Sequence, residues 1–504
     1  MDSDSKAGTK VRRDDVVELS IESLAFGGEG VARLPSTNDK KPLVVFVEDV
    51  VPGDVVEVKI SRSKHNFARG FVQKTVQSSK DRIVPRCKHF GSAFVEKENG
   101  VNHFNTSKGC GGCVWQFLDV NKQREYKEQQ VRDALTRIGG FQPEIVLPIL
   151  GGDPWYYRNK MEYSFSRDAG GKLSLGLHLK RRHHDVIELT ECFLLEPFAG
   201  ALVTFVREFF QKFEEQKGFD PELALKSFTV RVGKNTGQIM MIVSAENGKE
   251  NFMEDFKNAL LTFCAAEKIA LNSLYFLHVS NHKGQRNRTE ERLIHGVSTI
   301  QEQLLLNDGQ VLKFEISPQA FFQPNTKMAE LIYAKTLEAA QLTGKETVFD
   351  LYCGTGTIGL FCASKAAKVY GIELNKSAVE NAKANASMNG IANAEFLAGD
   401  VQEILSTFQG DSPEPGRRAI FKRKGPDVVL VDPPRNGLAP KVVDSVAEFG
   451  PRRVVYVSCN PTSLARDAAL FAKKGYMLVN VQPVDQFPQT YHIENVALFK
   501  KTAN

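Results

Sequence analysis

The chain contains few cysteines for its length and lacks any long apolar run. Eight cysteines occur among 504 residues, too few for a disulfide scaffold, so cysteines that cluster are better explained by metal binding or catalysis. No uninterrupted apolar stretch reaches the length of a membrane-spanning helix, and we therefore expect no membrane partner.

Targeting signals are also missing from the sequence as given. Residues 1–6 are acidic and polar, which argues against a secretory signal, and transit peptides are rich in arginine and poor in acids. We expect a cytoplasmic, monomeric protein and leave organelle import open. The net charge of +5 permits a nucleic-acid partner without requiring one.

The sequence indicates a short tail followed by three domains. Residues 1–12 are expected to form a disordered tail. Short alternating strands and glycine turns over 13–77 indicate a small β-barrel of the kind that binds oligonucleotides, with protein docking as the alternative. Residues 78–316 mix strands and helices and indicate a central α+β domain. Residues 317–504 indicate a Rossmann-like, doubly wound α/β domain.

Basic segments are candidate RNA contacts. The barrel carries cations interleaved with an aromatic ring, which fit phosphate contact and base stacking or else a solvated face: Arg62, Lys64, His65, Phe67 and Arg69. Residues 156–160 (Tyr-Tyr-Arg-Asn-Lys) and 180–184 (Lys-Arg-Arg-His-His) have a similar composition, with solvated turns as the alternative. Residues 410–425 form a further basic surface loop.

The first strand of the C-terminal domain leads into a glycine turn. Residues 354–359 match G-x-G-x-x-G, a pattern that also occurs in dinucleotide-binding folds. Asp350 favours S-adenosylmethionine instead, because a carboxylate at the strand end can face the ammonium group of that cofactor. Glu373 ends the next strand, where a carboxylate accepts hydrogen bonds from ribose hydroxyls. Asp400 follows the third strand and is placed to read the adenine amino group.

The fourth strand ends in Asp-Pro-Pro-Arg at 432–435. Prolines fix φ and donate no backbone hydrogen bond, so this loop holds a carboxylate rigidly against a flat base. Methyltransferases that act on base amino groups have a similar loop but usually carry an aromatic residue after the prolines. Arg435 at that position argues against nitrogen methylation.

A single cysteine ends the next strand. Cys459 follows the apolar run 453–457 and precedes a helical pattern, which places its thiol at the mouth of the predicted sheet. Most free cysteines are small buried hydrophobes, so this position alone does not identify Cys459 as a nucleophile.

Together these motifs resemble those of the RNA 5-methyluridine methyltransferases. The resemblance rests on residues 432–435, on Ser-Cys-Asn-Pro at 458–461 and on Phe-Pro-Gln-Thr-Tyr-His-Ile-Glu at 487–494, and it covers nearly the whole chain. The N-terminal barrel resembles that family's TRAM domain. The chain looks most like the iron–sulfur branch, whose bacterial members modify 23S ribosomal RNA.

The resemblance implies roles for individual residues. Cys459 matches the thiolate that adds to carbon 6 of a flipped uracil, so that carbon 5 can attack the methyl group of S-adenosylmethionine. Glu494 matches the base that removes the proton from carbon 5, with a surface acid as the alternative. Asp432 would orient the cofactor or the uracil. The other positions that match cofactor contacts in the family are Gln323, Tyr352, Glu373 and Asp400, with Thr357 as a further candidate.

A second group of cysteines consists of Cys87, Cys110, Cys113 and Cys192. Residues 110–113 read Cys-Gly-Gly-Cys, and four thiols without histidine fit either a zinc site or a 4Fe–4S cluster. The resemblance favours the cluster. Residues 88–109 form a longer stretch than the family has before this pair, which departs from the family pattern at Cys87. A longer loop nevertheless closes at small entropic cost.

The sequence therefore predicts an RNA (uracil-C5)-methyltransferase that uses S-adenosylmethionine and acts on a 23S-type ribosomal RNA. The same reaction on transfer RNA is one alternative. A non-catalytic RNA-binding protein that retains the fold is another, but it predicts loss of Cys459 or Glu494, and both are present.

Overall fold

The computed structural model describes the chain in thirteen stretches: residues 11–35, 42–91, 95–98, 101–104, 109–167, 170–180, 182–217, 224–246, 252–280, 288–305, 309, 311–406 and 425–502. Residues 1–10 of the predicted tail and most of the basic loop 410–425 lie outside these ranges.

The chain forms two compact units. Unit 1 comprises Met1–Gln130, Tyr163–Phe219 and Phe487–Tyr491, and unit 2 comprises Val131–Glu162, Asp220–Gln486 and His492–Asn504. Residues of the predicted central domain 78–316 occur in both units, and its bounds stay a prediction.

Unit 1 begins with a six-stranded sheet. Its strands β1 to β6 are Val16–Ser20, Ser23–Leu24, Gly30–Leu34, Leu43–Glu48, Val55–Ser63 and Phe67–Gln77. They are ordered β1-β5-β6-β4-β3-β2. Alternate residues of β5 (Val56, Val58 and Ile60) are fully buried, as expected for a strand with one face on a core. Val11, which the sequence assigned to the tail, packs into this same core, so the ordered chain begins earlier than expected.

The described remainder of unit 1 contains a hairpin, three strands that pair antiparallel and two helices. The strands are β7 and β8 (Val95–Glu98 and Val101–Phe104), followed by β10 to β12 (Lys160–Arg167, Leu173–Leu179 and Arg182–Glu188). Helix α1 is Val120–Ala134. Helix α2 (Ala199–Lys217) packs its apolar face on β11.

Unit 2 contains two further groups of paired strands before the main sheet. Strands β13 to β16 (Leu225–Val232, Ile239–Ala245, Leu271–Ser280 and Arg288–Gly296) form one of them, and helix α3 (Met253–Ala266) connects β14 to β15. Strands β17 and β18 (Ile300–Leu305 and Val311–Ile316) form an antiparallel pair.

The main sheet of unit 2 has eight strands in the order β21-β20-β19-β22-β23-β25-β24-β9. Strand β9 is Leu150–Gly151, and β19 to β25 are Thr347–Leu351, Lys368–Glu373, Ala394–Ala398, Val428–Val431, Arg453–Ser458, Tyr476–Asp485 and Glu494–Lys501. Strands β19 to β23 are parallel, and β25 runs antiparallel to both neighbours. This is the doubly wound α/β arrangement that the sequence predicted.

The helices described alongside this sheet are α4 to α9: Thr326–Ala340, Thr357–Ala363, Lys376–Met388, Val401–Ser406, Pro440–Phe449 and Pro461–Lys473. All of β22 and most of β23 are buried, since helices cover parallel strands on both faces. Polar side chains can then reach solvent only at the strand ends, and the carboxyl ends of the parallel strands lie along a single edge.

Within the described part of the chain, no helix is long and apolar enough to cross a membrane.

A buried ion pair at the base of the barrel generates a stability prediction. Asp54 is fully buried; its side chain accepts from Val51 N (2.7 Å) and Ser79 N (2.8 Å) and pairs with Arg82 at 2.6 Å. We expect Asp54→Ala to lower the free energy of unfolding of the barrel by about 3–5 kcal/mol, because the charge of Arg82 is left buried. Urea unfolding of the full chain, followed by hydrogen exchange of the β5 amides, measures this loss.

The matched control is Glu22→Ala, which breaks the solvent-exposed pair of Glu22 with Arg33 on the same barrel. We expect a loss of less than about 1 kcal/mol, because exposed ion pairs contribute little. Equal losses in the two variants would contradict the assignment of Asp54 as the anchor.

Candidate functional site

The candidate active site lies at the carboxyl edge of the main sheet. Asp432 immediately follows β22, and Cys459 immediately follows β23. Strand β25 begins at Glu494, and its next residue, Asn495, pairs with Ser458. One further step of this antiparallel register places Cys459 beside Glu494. The two residues that the sequence assigned to catalysis, 35 positions apart, are thereby brought together.

Hydrogen bonds fix the turn after Cys459. The hydroxyl of Ser458 accepts from Asn460 N at 3.2 Å. Asn460 caps helix α9 by accepting from Thr462 N at 3.0 Å, and its Nδ2 donates to the backbone oxygen of Arg435 at 3.0 Å. The side chain of Asn460 therefore ties the cysteine turn to the Asp-Pro-Pro-Arg loop.

Asp467 anchors the rest of that loop. It is fully buried; Oδ2 accepts from Leu438 N (2.7 Å) and the Tyr456 hydroxyl (2.8 Å), and Oδ1 accepts from Arg466 Nε (2.8 Å). Gly437 has φ of +75°, and a Cβ there would lie 2.4 Å from Asp467 Oδ2. Only glycine allows the loop to approach this closely.

Burial and charge shift the pKa values of the reacting groups. Burial raises the pKa of Asp432 to about 7. Burial and then the charge of Asp432 raise the pKa of Glu494 well above its ordinary value. Burial, followed by the charges of Glu494 and Asp432, raises the pKa of the Cys459 thiol to about 11. The exposed guanidinium of Arg435 lowers the pKa of both Cys459 and Glu494.

Tyr333 of helix α4 is a buried member of the same group. It is 5% exposed, and burial raises its pKa, with further contributions from the charges of Asp432, Asp350 and Glu494. A hydrogen bond with Thr357 lowers the pKa of Tyr333 and partly offsets this rise. The hydroxyl of Tyr333 therefore stays protonated in this surrounding.

Asp350 braces the glycine turn. It is fully buried, its Oδ2 accepts from Gly359 N at 2.9 Å, and burial raises its pKa to about 8. The sequence predicted that this carboxylate faces the ammonium group of the cofactor. Oδ1 is buried and has no hydrogen-bond partner among the described residues, so this prediction stays a prediction.

Glu373 and Asp400 lie at the ends of the next two strands. Glu373 accepts from Gly354 N at 3.1 Å and from Asn375 N at 2.8 Å. Asp400 is exposed and accepts from two backbone N–H groups at the start of α7, at 2.9 and 3.1 Å. Carboxylate oxygens have further lone pairs, so both residues keep acceptor capacity for a ligand.

The other predicted cofactor residues lie in unit 2 as well. Tyr352 adopts the left-handed conformation with φ of +63°, and burial raises its pKa to about 12. Thr357 is the first residue of α5, directly after the glycine turn. The Gln323 side chain accepts from Gln486 Nε2 at 3.4 Å.

A second candidate site lies in unit 1. All four predicted ligand cysteines line one small pocket: Cys87, Cys110, Cys113 and Cys192. Its other walls are mainly apolar, including Phe90, Leu177, Leu189, Phe193 and Leu194. Burial raises the pKa of Cys87 to about 11 and that of Cys110 to about 12, and neighbouring cysteines contribute in the same direction.

The backbone explains how the pocket is built. Cys110 pairs with Leu179 across an isolated bridge, and Gly111 N donates to His178 O at 2.9 Å. A Cβ on Gly111 would lie 3.1 Å from that same oxygen, so the Cys-Gly-Gly-Cys turn approaches β11 closely because it carries glycine. Gln116 accepts from Cys87 N at 3.1 Å and joins the first cysteine to the turn.

The long stretch between Cys87 and Cys110 closes at its base. Cys110 N donates to His89 O at 2.7 Å, and β7 and β8 form an antiparallel hairpin in between. The insertion thus loops out and leaves Cys87 at the pocket. Among the described residues, however, no three or more His, Cys, Asp or Glu side chains are arranged to hold one metal ion. Four sulfurs around one zinc ion would lie about 3.8 Å apart, a spacing set by Zn–S bonds of about 2.3 Å.

Comparisons with known proteins show which family the chain belongs to. A family model described as tRNA (Uracil-5-)-methyltransferase matches residues 258–502, and a TRAM domain model matches residues 10–72. A protein of Clostridium acetobutylicum named as an uncharacterized RNA methyltransferase is 33% identical over 97% of this chain and 98% of its own length. One of Bacteroides thetaiotaomicron is 34% identical over 95% of this chain and 100% of its own length. This chain belongs to the tRNA (uracil-5-)-methyltransferase family.

A solved structure shares the fold of this family member. Pyrococcus abyssi tRNA (uracil-54, C5)-methyltransferase, in complex with S-adenosyl-L-homocysteine, superimposes with a TM-score of 0.67. It is 23% identical and covers 96% of this chain and 100% of its own. The expected methyltransferase fold with an N-terminal TRAM domain is confirmed, as is membership of the S-adenosylmethionine-dependent RNA uracil-5 methyltransferases.

The candidate RNA segments differ in exposure. In the barrel, Arg62, Lys64 and Arg69 are exposed, and Lys64 and Arg69 lie 5.7 and 5.8 Å from the ring centroid of Phe67. In residues 156–160, by contrast, Tyr157 and Asn159 are buried. Two of the five residues predicted to contact RNA therefore have a structural role. In residues 180–184, Arg181 lies outside the described residues.

Sequence reasoning did not identify Asp467, Asn460 or Tyr333. The available signal was weak: Asp467 lies at helical spacing between Leu464 and Phe471, on an otherwise apolar helix face. An acid in that pattern indicates a buried, hydrogen-bonded carboxylate.

The charges around Cys459 generate a pH prediction. Since Asp432 raises the pKa of Cys459, we expect Asp432→Asn to lower that pKa. The difference from wild type should vanish below about pH 7, where Asp432 itself becomes protonated. Arg435→Gln should raise the same pKa. Iodoacetamide labelling of the Cys459 peptide across pH, quantified by mass spectrometry, measures both shifts.

The control is Asp444→Asn, which removes an exposed acid that pairs with Lys474 on the surface. This variant should leave the labelling profile of Cys459 unchanged. A higher pKa in Asp432→Asn would refute the arrangement described above.

Proposed function

We propose that the chain methylates carbon 5 of a uridine in RNA, with Cys459 as the nucleophile and Glu494 as the base. The observation that supports this most strongly is the β23–β25 register, which sets a thiol and a buried carboxylate side by side at the carboxyl edge of the sheet. Asp432 and Arg435 adjoin both groups, as their mutual effects on pKa indicate.

In the proposed reaction, Cys459, S-adenosylmethionine and Glu494 account for each bond made to the uracil ring and for the proton that leaves it. The Cys459 thiolate forms a bond to carbon 6 of uracil, and the electron pair of the ring double bond moves toward carbon 5 and the neighbouring carbonyl. Carbon 5 then attacks the methyl group that S-adenosylmethionine supplies. Glu494 removes the remaining proton from carbon 5, the double bond re-forms, and the thiolate leaves. The raised pKa of Glu494 makes its carboxylate a stronger base than an exposed glutamate.

Arg435 favours the ionised form of the nucleophile. It lowers the pKa of Cys459 against the larger effect of burial, and its exposed position leaves it available to the substrate. A uridine must leave its stack to reach a thiol in such a surrounding. The exposed cations of the barrel, Arg62, Lys64 and Arg69, supply contacts to the RNA backbone.

The predicted cofactor residues are part of this proposal. Glu373 and Asp400 retain free acceptor capacity, and Tyr352 and Thr357 flank the turn itself. Asp432 orients the cofactor or the uracil. The set comprises Gln323, Tyr352, Thr357, Glu373, Asp400 and Asp432.

Two variants separate the roles of the nucleophile and the base. Cys459→Ala should abolish methylation and the covalent adduct with RNA that contains 5-fluorouridine, because no bond to carbon 6 can form. Glu494→Gln should still form an adduct with ordinary RNA but release it slowly, because the proton on carbon 5 remains. Denaturing gels with labelled RNA measure the adduct, and transfer of labelled methyl groups measures turnover.

Cys264→Ala, a buried cysteine of helix α3, is the control and should behave as wild type in both assays. Normal methylation by Cys459→Ala would exclude the covalent route. Rapid release of the adduct by Glu494→Gln would exclude Glu494 as the base.

For the RNA itself, a 23S-type ribosomal RNA is the first candidate, on the resemblance of the cysteine motif to the iron–sulfur branch. Transfer RNA is the second, because the matching family model and the solved Pyrococcus abyssi relative are both named for it. Mapping of 5-methyluridine in total RNA, with and without the active protein, decides between the two. The substrate is the RNA that lacks 5-methyluridine when the active protein is absent.

We also propose that the four cysteines of unit 1 hold a 4Fe–4S cluster. One pocket collects all four, and its apolar walls suit a buried cluster. Cluster ligands bind as thiolates, so loading would release the protons that burial keeps on these thiols.

Anaerobic purification with iron and sulfide analysis tests this. Wild type should contain about four irons and four sulfides per chain. Cys113→Ser should lose most of both, because a buried ligand is missing, whereas Cys264→Ser should retain them. Zinc without sulfide in the wild type would contradict the cluster.

A further inference from the structure

The segment that carries Gln323 has no regular secondary structure, although it leads directly into helix α4. Residues 317–325 connect β18 to α4. Phe321 within it is 68% exposed, whereas Phe322 packs against the cores of unit 2. An irregular segment must be fixed by side-chain hydrogen bonds if it is to hold one conformation.

Arg231 holds the first half of this segment. It lies on β13, is 4% exposed, and donates to the backbone oxygens of Ser317 (2.8 Å), Pro318 (2.9 Å) and Ala320 (2.5 Å). Burial lowers its pKa to about 10, and no acid contributes to that shift. A buried guanidinium that donates to three backbone carbonyls of one turn fixes the path of the backbone rather than forming a charge pair.

Asn159 holds the second half. It is 5% exposed, its backbone N donates to Pro324 O at 2.8 Å, and its Nδ2 donates to Gln323 O at 2.7 Å and to the Thr326 hydroxyl at 3.1 Å. Its own carbonyl accepts from Val232 N at 2.8 Å, one residue beyond Arg231. Asn159 therefore links the segment to the strand that carries the guanidinium.

Glu302 continues the hydrogen-bonded chain beyond Thr326. This carboxylate is fully buried and accepts from the Thr326 hydroxyl (2.9 Å) and from Lys234 N (2.8 Å) and Asn235 N (2.9 Å). Thr326 is consequently fixed between Asn159 and Glu302. No member of this chain of bonds is free to turn without leaving a buried polar group unpaired.

The end of the segment is bound to the edge of the main sheet. Asn325 caps α4 by accepting from Met328 N at 3.3 Å, and its Nδ2 donates to Gln486 O at 3.1 Å. The side chain of Gln486 in turn donates to Gln323 Oε1 at 3.4 Å. Gln323 is thus restrained at its backbone by Asn159 and at its side chain by Gln486.

We propose that Asn159 and Arg231 are positioning residues for cofactor binding, which fix the 317–325 segment so that the Gln323 amide faces S-adenosylmethionine. This inference rests on the proposed cofactor role of Gln323. Neither residue touches the reacting atoms; each acts by removing the conformational freedom of an irregular segment before the ligand arrives. Preorganisation of this kind affects affinity because the ordering cost is met during folding rather than on binding.

The test measures cofactor binding and segment order in the full chain. Asn159→Ala should weaken S-adenosyl-L-homocysteine binding by about 10-fold to 100-fold in calorimetry, as displacements of about 1 Å do. It should raise KM for S-adenosylmethionine while changing kcat at saturation less. Hydrogen exchange of residues 317–326 should speed up in the same variant, while exchange in the central strands β19 and β22 stays slow.

Arg231→Lys provides a second variant in case Asn159→Ala does not fold. It keeps a cation and three donors but loses the planar fork, so we expect an intermediate loss of affinity and faster exchange over residues 317–320. Ser244→Ala is the matched control: Ser244 is a buried polar residue on the neighbouring strand β14, bonded to Ser227 at 2.7 Å, with no hydrogen bond to the segment among the described contacts. It should leave both readouts unchanged.

Gln323→Ala separates the inference from the proposal on which it rests. If Gln323→Ala leaves S-adenosyl-L-homocysteine affinity unchanged, the cofactor role of Gln323 is wrong, and the positioning role falls with it. If Gln323→Ala weakens binding but Asn159→Ala and Arg231→Lys do not, only the positioning role is overturned. Faster exchange with unchanged affinity also overturns it, because the segment would then be held for some other purpose.

Discussion

The site depends on one constraint: a buried acid, a partly buried acid and a partly buried thiol lie together where the main sheet reverses direction. Asp432, Glu494 and Cys459 lie at the ends of adjacent strands. The charge of Asp432 raises the pKa of both Glu494 and Cys459, and the charge of Glu494 raises that of Cys459. Arg435 is the cation that opposes this shift. Such a cluster is unfavourable for stability, and it is kept in place by strands whose side chains are almost wholly buried.

The loops around this cluster are fixed by buried polar side chains rather than by regular structure. Asn460 joins the cysteine turn to the Asp-Pro-Pro-Arg loop, and Asp467 binds the far end of that loop. Asn159 and Arg231 do the same for the segment that carries Gln323. In each case an amide, guanidinium or carboxylate satisfies backbone groups that have no partner in a helix or strand. The chemistry of the site therefore rests on residues that do not react.

Much of the architecture follows from local pattern. Alternating strands predicted the barrel, and apolar runs followed by turns predicted the parallel sheet, because both patterns reflect burial within a few residues. The same reasoning failed where burial depends on distant partners. Val11 looked like part of a polar tail but packs in the barrel core, and Tyr157 and Asn159 looked like RNA contacts but are buried. Residues 78–316 have no compositional boundary that would show how they divide between two units.

The sequence by itself determined the chemical inventory: a thiol and a carboxylate at strand ends, a glycine turn, an acid before two prolines and four clustered cysteines. Tertiary structure decided which of these meet. Cys459 and Glu494 become neighbours only because β25 runs antiparallel to β23, and Cys87 reaches the other cysteines only because the intervening hairpin closes at its base. It also showed that Asp350 accepts a hydrogen bond from the backbone of Gly359. These outcomes depend on pairings across tens of residues, which local residue preferences do not encode.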